Sequence, residues 1–436
     1  MLSPLDTQTE AVLIKVILQL MVIIAAARLG AVAFRFLGQP QVCGEIAAGL
    51  VLGPTFLGRL FPDLSGRIFD PTVAPIVSTL SQIGLILLMF LIGLEFNFAH
   101  LRSSRRAALT ISLAGIAVPF TLGLLLAPYL HARIGIEGNP LNFSLFLATA
   151  LSITALPILG RIMIELNIHR TRIAAITITA AALDDVAGWI ILALVTAIVR
   201  SRFDPASFAL MLFETVGYAL VLIFVVRPVL RRWARSAVGA RDGELSLGAL
   251  ATLLVLIFTS AAVTNLIGIF SIFGAFLIGA VLYDEDAFRE AVKRRLHDFV
   301  VAFFLPIFFT YTGLRTDIGT LQGASMWVLC ALVLLAALIG KLGGCTAAAL
   351  LAGFRVREAA LVGVLMNTRA LMELIVINIG YDLGVIPKSV FFMLVFMAIV
   401  TTYMTTPIVR RLIVATELEP EFQRSTFARQ PRKAVD

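Results

Sequence analysis

The chain has 436 residues, of which 59% are hydrophobic and 14% are charged, and its formal net charge is +8. Soluble domains contain about 25% charged residues, so this composition excludes an ordinary soluble protein and indicates a polytopic membrane protein. In a membrane protein the positions of Lys and Arg indicate which loops face the cytoplasm. We therefore do not interpret the positive net charge as a sign of a nucleic-acid partner.

The apolar runs are about 20 residues long and apolar all round, which predicts helices that span the lipid bilayer rather than strands. Charged, proline-rich and glycine-rich junctions divide the chain into thirteen predicted spans. These begin near residues 10, 38, 73, 106, 141, 172, 206, 245, 266, 299, 325, 358 and 387. We therefore expect an all-α polytopic membrane protein with about 13 transmembrane helices.

The distribution of basic residues predicts the orientation of the chain. No cationic segment precedes the first apolar run, so we expect a retained helix there rather than a signal peptide. With the N-terminus outside, the cytoplasmic loops hold nineteen Lys and Arg residues and the opposite loops hold seven. The positive-inside rule then favours an outside N-terminus and a cytoplasmic C-terminus in the inner cell membrane.

Residues 1–413 are predicted to form a single membrane transport unit, followed by a short cytoplasmic tail at 414–436. About 25 residues follow Arg411, so we expect no cytosolic nucleotide-binding or sensor domain. The sequence holds no His-Glu-x-x-His, nucleophile elbow or phosphate loop. No catalytic residue, no cofactor and no enzymatic activity are predicted.

Two adjacent carboxylates, Asp184 and Asp185, lie inside an apolar run from about Ile173 to Val199. One Asp at a bilayer centre costs about 2.5–3.5 kcal/mol on insertion scales. Two side by side therefore need a cavity, a counter-charge, protons or a cation. We interpret the pair as a binding site for protons and a transported monovalent cation.

A lysine in a later span can supply the counter-charge. Lys341 is flanked by long apolar runs and has no carboxylate three or four residues away, so its partner must come from another helix. A contact between Lys341 and one of the two aspartates would pair these buried charges without requiring any other charged residue. One net negative charge remains, which protons or a monovalent cation can neutralise. Gly340, Gly343 and Gly344 are expected to let a neighbouring helix come close.

The other ionisable residues of the predicted spans have structural explanations. Glu45 lies beside a Pro/Gly-rich stretch and is expected to be structural. Arg369 and Glu373 are four residues apart on one predicted helix, so we interpret them as a structural pair. Four residues near helix ends are expected to extend to the membrane surface: Lys15, Arg28, Glu95 and Arg161.

Two spans carry polar interruptions. In one, Pro157 disrupts the carbonyl ladder near Ile153, while Ser152 and Thr154 offer oxygen ligands. In the other, the segment 366–370 (MNTRA) interrupts the twelfth span. Interruptions at corresponding positions of two halves are typical of inverted-repeat transporters whose site lies at the membrane midplane.

These features resemble the monovalent cation/proton antiporter superfamily. The similarity is to its second branch, which includes bacterial sodium/proton antiporters, potassium-efflux systems and plant cation/proton exchangers. Six stretches carry the resemblance in family order and cover almost all of the membrane part: 44–54 (GEIAAGLVLGP), 90–95 (FLIGLE), 184–189 (DDVAGW), 313–317 (GLRTD), 340–341 (GK) and 366–376 (MNTRALMELIV).

The resemblance implies a homodimer. Each protomer would have a dimerisation part, roughly residues 10–100 and 206–312, and a core part, roughly residues 106–200 and 325–413. The core part would contain two inverted three-helix repeats with crossing broken helices, and it would move like an elevator.

The resemblance also implies roles for the site residues. Asp185 would be the principal ion and proton carrier, and Asp184 would pair with Lys341. Ser152 and Thr154 would lie in the unwound part of the first crossing helix. Paired aspartates with a membrane lysine resemble the electrogenic type of exchanger.

We therefore expect a secondary active transporter that exchanges a monovalent cation for protons, with Na+ favoured over K+. A sodium-coupled organic anion symporter on a similar fold and a K+ efflux system stay open as alternatives. A potassium channel is disfavoured because the sequence has no Thr-Val-Gly-Tyr-Gly filter. An intramembrane aspartyl protease is disfavoured because its two aspartates should come from separate helices.

Overall fold

The computed structural model describes residues 4–39, 41–95, 105–168, 171–200, 205–238, 243–369, 371–414, 416 and 419–423. Within these ranges the chain is almost entirely helical and forms no strand beyond an isolated bridge between Val238 and Leu245. The predicted all-α class is confirmed. The predicted tail, residues 414–436, lies largely outside the described residues.

The α-helices of the described ranges follow one another in chain order. They are α1 (Pro4–Phe36), α2 (Gln41–Leu52), α3 (Leu57–Leu60), α4 (Pro62–Ile68), α5 (Ala74–Glu95), α6 (Arg105–Ile134), α7 (Pro140–Ser152), α8 (Leu156–Glu165), α9 (Arg172–Arg200), α10 (Pro205–Val221), α11 (Arg227–Ala237), α12 (Leu247–Ile267), α13 (Ser271–Val281), α14 (Asp286–Val292), α15 (Leu305–Leu314), α16 (Gly323–Ala337), α17 (Gly344–Leu351), α18 (Val356–Met366), α19 (Leu371–Asp382), α20 (Lys388–Leu412) and α21 (Glu419–Gln423).

Ten helical segments of the described chain are long and apolar enough to cross a membrane, or eleven if the bent pair α18 and α19 is one span. The thirteen predicted spans are not confirmed by this count. Helices α7 and α13 are apolar but have 13 and 11 residues, which is short of the roughly 17 residues that a spanning helix needs.

The chain forms two compact units. Unit 1 comprises Met1–Arg28, Ala48–Ala99 and Ala193–Arg315, and unit 2 comprises Leu29–Ala47, His100–Leu192 and Thr316–Asp436. The assignment of dimerisation and core roles to parts of the chain stays a prediction.

In unit 1, α5 and α13 are in backbone contact. A Cβ atom on Gly93 would lie 2.2 Å from the Phe276 carbonyl oxygen, and a Cβ atom on Gly279 would lie 2.2 Å from the Phe90 carbonyl oxygen. Glycine at both positions therefore allows an approach that any side chain would prevent.

Two of the residues predicted near helix ends form exposed ion pairs in unit 1. Lys15 pairs with Asp70 at 2.8 Å, and Glu95 pairs with Lys293 at 2.8 Å. The side chains of Lys15 and Glu95 are 45% and 52% exposed. The side chain of Arg161 lies outside the described residues.

In unit 2, one large apolar cluster combines residues of α8, α9, α17 and α18, among them Leu159, Ile176, Ala348 and Leu361. Helix α6 packs against both α7 and α17. Helix α6 also contacts the turn Leu338–Gly343, which carries Lys341.

We expect Gly93→Ala to lower the melting temperature of the purified protein. The added methyl group would lie 2.2 Å from a carbonyl oxygen of α13, and overpacking of this kind typically costs about 1–3 kcal/mol. The matched control is Gly217→Ala in α10, where an added Cβ atom meets nothing within 4 Å. Because Ala favours helix more than Gly does, the control should melt at or above the wild-type temperature. Equal melting of the two variants would contradict the close contact.

Candidate ion-binding site

Two helix interruptions meet in unit 2. Helices α7 and α8 are separated by the non-helical residues 153–155, and α18 and α19 are bent by 42° at the second interruption. The backbone N–H of Ala155 donates to the Thr368 carbonyl at 3.1 Å. The Thr154 hydroxyl lies 3.1 Å from the Met366 carbonyl. The two predicted interruptions are therefore hydrogen-bonded to each other.

The first interruption follows from local sequence. Pro157 is the second residue of α8. At this position a missing backbone N–H removes no intrahelical hydrogen bond, and the proline disfavours helical backbone before it. The break spans residues 153–155, near the position predicted from Pro157.

The broken end of α7 is capped by two buried cations. The last four carbonyls of a helix have no partner within it and carry partial negative charge. Here all four accept a hydrogen bond: Thr149 from the Ser152 hydroxyl at 2.9 Å, Ala150 and Leu151 from the Arg369 guanidinium at 3.0 and 2.6 Å, and Ser152 from the Lys341 ammonium. Ser152 thus meets Lys341 through its backbone carbonyl, while its hydroxyl bonds within α7.

Asp184 and Lys341 form a fully buried ion pair. The distance from Lys341 Nζ to Asp184 Oδ2 is 2.6 Å, and both side chains are 0% exposed. Charge balance predicted a contact between Lys341 and one of the two aspartates, and the structure places Asp184, the residue that the resemblance implies, at the ammonium. The Ser112 hydroxyl donates to Asp184 Oδ1 at 2.6 Å, and the Thr154 hydroxyl lies 2.9 Å from Oδ2. Lys341 Nζ also donates to the Gly115 carbonyl at 2.8 Å.

Asp185 is equally buried but is held differently. Its exposed fraction is 2%, and its Oδ1 atom has no hydrogen-bond partner among the described residues. Its electrostatic neighbours are Asp184, Lys341 and the backbone N–H of Leu156, which opens α8. Among the described residues the pair therefore contains one carboxylate with a donor on each oxygen and one with an oxygen that has no hydrogen-bond partner.

Lys341 lies on a π-helical turn, Leu338–Gly343, between α16 and α17. π-Helical turns inside α-helices are frequent at functional sites. A Cβ atom on Gly340 would lie 2.7 Å from Pro119 Cα of α6, whereas one on Gly343 would meet nothing within 4 Å. One on Gly344 would lie 3.1 Å from a carbonyl oxygen of α6. Two of the three glycines predicted to allow close packing therefore face α6.

Arg369 and Glu373 are buried together, with Nη1 and Oε1 3.4 Å apart. Their pairing agrees with the i,i+4 spacing. The hydrogen bonds from Arg369 to two carbonyls of α7, at 3.0 and 2.6 Å, are shorter than its contact with Glu373. The backbone N–H of Arg369 is held by the Thr402 hydroxyl of α20. Glu45, also expected to be structural, is 5% exposed on α2.

Sequence reasoning missed the contribution of α6. Ser112 and Gly115 are three residues apart in an apolar helix, so they share one face, and that face meets both members of the ion pair. The available signal was a pair of small residues at this spacing, which is typical of close helix packing in membranes and does not indicate a binding role. Within the described residues no group of three or more His, Cys, Asp or Glu side chains could hold a resident metal ion.

The family model described as "Sodium/hydrogen exchanger, transmembrane" matches residues 21–414. This chain belongs to the sodium/hydrogen exchanger family. The resemblance inferred from the six stretches is therefore confirmed, and the membrane protein is a member of a cation/proton antiporter family.

Relatives of this chain are named as antiporters. The Na+/H+ antiporter NhaS4 of Synechocystis sp. is 38% identical over 413 residues, which cover 94% of this chain and 99% of that protein. Cation/H+ antiporter 17 of Arabidopsis thaliana is 38% identical over 405 residues, which cover 93% of this chain and 49% of that protein. The chain thus spans nearly the whole of the first relative and about half of the second.

A solved structure supports the fold of this chain. The sodium proton antiporter MjNhaP1 from Methanocaldococcus jannaschii matches with a TM-score of 0.62 and 14% identity, over 94% of this chain and 99% of that one. The predicted sodium/proton antiporter-like fold is therefore confirmed.

We expect Lys341→Met to lower the melting temperature of the purified protein strongly. The change leaves Asp184 buried without a counter-charge, and removal of one partner from a buried pair costs about 3–5 kcal/mol. The matched control is Lys293→Met, which removes a 2.8 Å pair with Glu95 whose side chains are 45% and 52% exposed. Exposed pairs contribute about 0–1 kcal/mol. Similar losses of melting temperature in both variants would contradict the geometry of the buried pair.

Proposed function

We propose that this protein is a secondary active transporter, not an enzyme, that exchanges a monovalent cation for protons at Asp184, Asp185 and Lys341. The contrast between the two aspartates carries the proposal. Asp184 is held by an ammonium and two hydroxyls, whereas Asp185 is as deeply buried and has an oxygen without a partner in the described chain. Such an oxygen is stabilised by a proton or by a cation.

The charges of the site account for exchange. Lys341 compensates Asp184, so Asp185 adds one negative charge to the buried site. A proton and a monovalent cation compete for this carboxylate, and binding of one favours release of the other. The hydroxyl oxygens of Ser152 and Thr154 donate their protons to other groups and keep lone pairs, so they can act as the oxygen ligands that an alkali cation needs.

We propose Na+ as the favoured cation, with K+ as the second choice. The name of the Synechocystis relative, a Na+/H+ antiporter that this chain matches over nearly its whole length, supports Na+. The name of the Arabidopsis relative, a cation/H+ antiporter, is compatible with either ion.

We further propose a homodimer in the inner cell membrane, with the N-terminus outside and the C-terminus in the cytoplasm. Both helix interruptions, both aspartates and Lys341 lie in unit 2. This grouping supports a core part, roughly residues 106–200 and 325–413, that carries the ion in an elevator-like alternating-access movement. The dimerisation part, roughly residues 10–100 and 206–312, would stay fixed.

We expect Asp185→Asn to abolish cation-driven proton movement while the melting temperature stays near that of the wild type. The amide removes the charge that a cation or proton neutralises. The measurement is the pH change in proteoliposomes that carry a trapped pH dye, with Na+, K+, Li+ and choline added in turn. The wild type should give a saturable response to alkali cations and none to choline.

The matched control is Asp298→Asn, whose side chain is 97% exposed and which should retain the wild-type rate. Wild-type exchange by folded Asp185→Asn protein would refute the central role of this residue. No proton movement by folded wild-type protein with any alkali cation would refute exchange and favour the organic-anion symporter.

Because the paired aspartates and the membrane lysine resemble the electrogenic type of exchanger, we expect about two protons to move per cation, which requires a second proton in addition to the one that competes at Asp185. Each net charge moved gains or loses about 2.3 kcal/mol per 100 mV of membrane potential. A clamped negative-inside potential should therefore accelerate proton entry and cation exit in the same proteoliposomes. Rates that do not change with the potential would indicate electroneutral exchange of one proton per cation.

A further inference from the structure

Helix α6 places a hydroxyl group on the oxygen of Asp184 that Lys341 does not contact. Ser112 is 4% exposed, and its Oγ atom lies 2.6 Å from Asp184 Oδ1. Hydroxyl donors to ionised carboxylates form bonds of about 2.5–2.7 Å. Within the described residues Oδ1 has no other donor, because Lys341 and Thr154 both contact Oδ2.

This contact is not the usual one for a serine in an apolar helix. Such serines commonly donate to a carbonyl of the preceding turn. Ser144 does so in α7, where its hydroxyl lies 2.7 Å from the Pro140 carbonyl. Ser112 instead donates to a side chain on another helix, 72 positions further along the chain.

The Lys341 ammonium interacts with both aspartates, so a donor that holds the Asp184 carboxylate in place bears on Asp185 as well. Lys341 is an electrostatic neighbour of Asp185 as well as the direct partner of Asp184. With Oδ1 held by Ser112, Oδ2 stays directed at the ammonium. If Oδ1 were released, the carboxylate could turn, and Lys341 would be drawn toward Asp185, where it would compete with the transported cation.

We propose that Ser112 is a positioning residue for cation binding: it fixes the Asp184–Lys341 pair and so keeps Asp185 available to the ion. This inference rests on the proposed exchange function. Ser112 does not need to touch the cation, since it acts through Asp184.

The test compares Ser112→Ala with Ser144→Ala, a buried serine whose hydroxyl bonds within its own helix. In the proteoliposome assay, Ser112→Ala should raise the KM for the cation about ten-fold. This factor is the lower end of the range expected when a hydrogen bond to a charged group is lost. The maximal rate should stay within about two-fold, because a change confined to binding raises KM alone. Ser144→Ala should retain the wild-type KM.

Ser112→Cys is the second variant, because it keeps nearly the same volume and replaces the hydroxyl by a weak donor. It should raise KM in the same direction, and it tests the inference if the alanine variant fails to fold. The midpoint of cation-induced thermal stabilisation, measured on purified protein, should shift by the same factor in both variants.

Wild-type KM in both folded Ser112 variants would overturn the inference while leaving exchange intact. A lower melting temperature with unchanged KM would also overturn it, since that result indicates packing alone. If the wild type neither exchanges an alkali cation for protons nor is stabilised by one, the proposed function fails and this inference fails with it.

Discussion

The burial of one ammonium beside two carboxylates is the constraint on which unit 2 depends. Lys341 has three hydrogen-bond donors, and they go to Asp184 Oδ2 and to the carbonyls of Gly115 and Ser152. These acceptors come from α9, α6 and α7. An ammonium in apolar surroundings is tolerated only with partners of this kind, so the charge holds three helices in one arrangement.

The broken helix supplies hydrogen-bond acceptors to the buried cations, and the cations supply donors to its carbonyls. An interrupted helix in a membrane exposes carbonyls that lipid cannot bond, and a buried Lys or Arg needs acceptors. Lys341 and Arg369 cap the end of α7, and Thr368 closes the link to the second interruption. Irregular backbone at membrane depth is therefore stabilised by the same residues that balance the charge of the site.

Adjacent aspartates take different roles because consecutive residues of a helix point to different neighbours. Asp184 is directed at α6 and at the π-helical turn of Lys341, where the Ser112 hydroxyl donates to Oδ1, the Lys341 ammonium donates to Oδ2, and the Thr154 hydroxyl lies 2.9 Å from Oδ2. Asp185 is directed at the start of α8 and keeps an unpartnered oxygen in the described chain. Two chemically identical side chains thus differ in their partners: within the described chain Asp184 has a donor on each oxygen, and Asp185 keeps one oxygen without a hydrogen-bond partner.

The sequence alone determined the membrane class, the family and the residues that carry the charge, because long apolar runs, charged residues within them and Pro157 act locally. Tertiary structure decided how these residues are paired. Asp184 and Lys341 are 157 positions apart, and Arg369 reaches α7 rather than serving Glu373 alone. Ser112 could not be found from sequence, since an uncharged hydroxyl in an apolar helix gains its role only when packing brings a carboxylate to it.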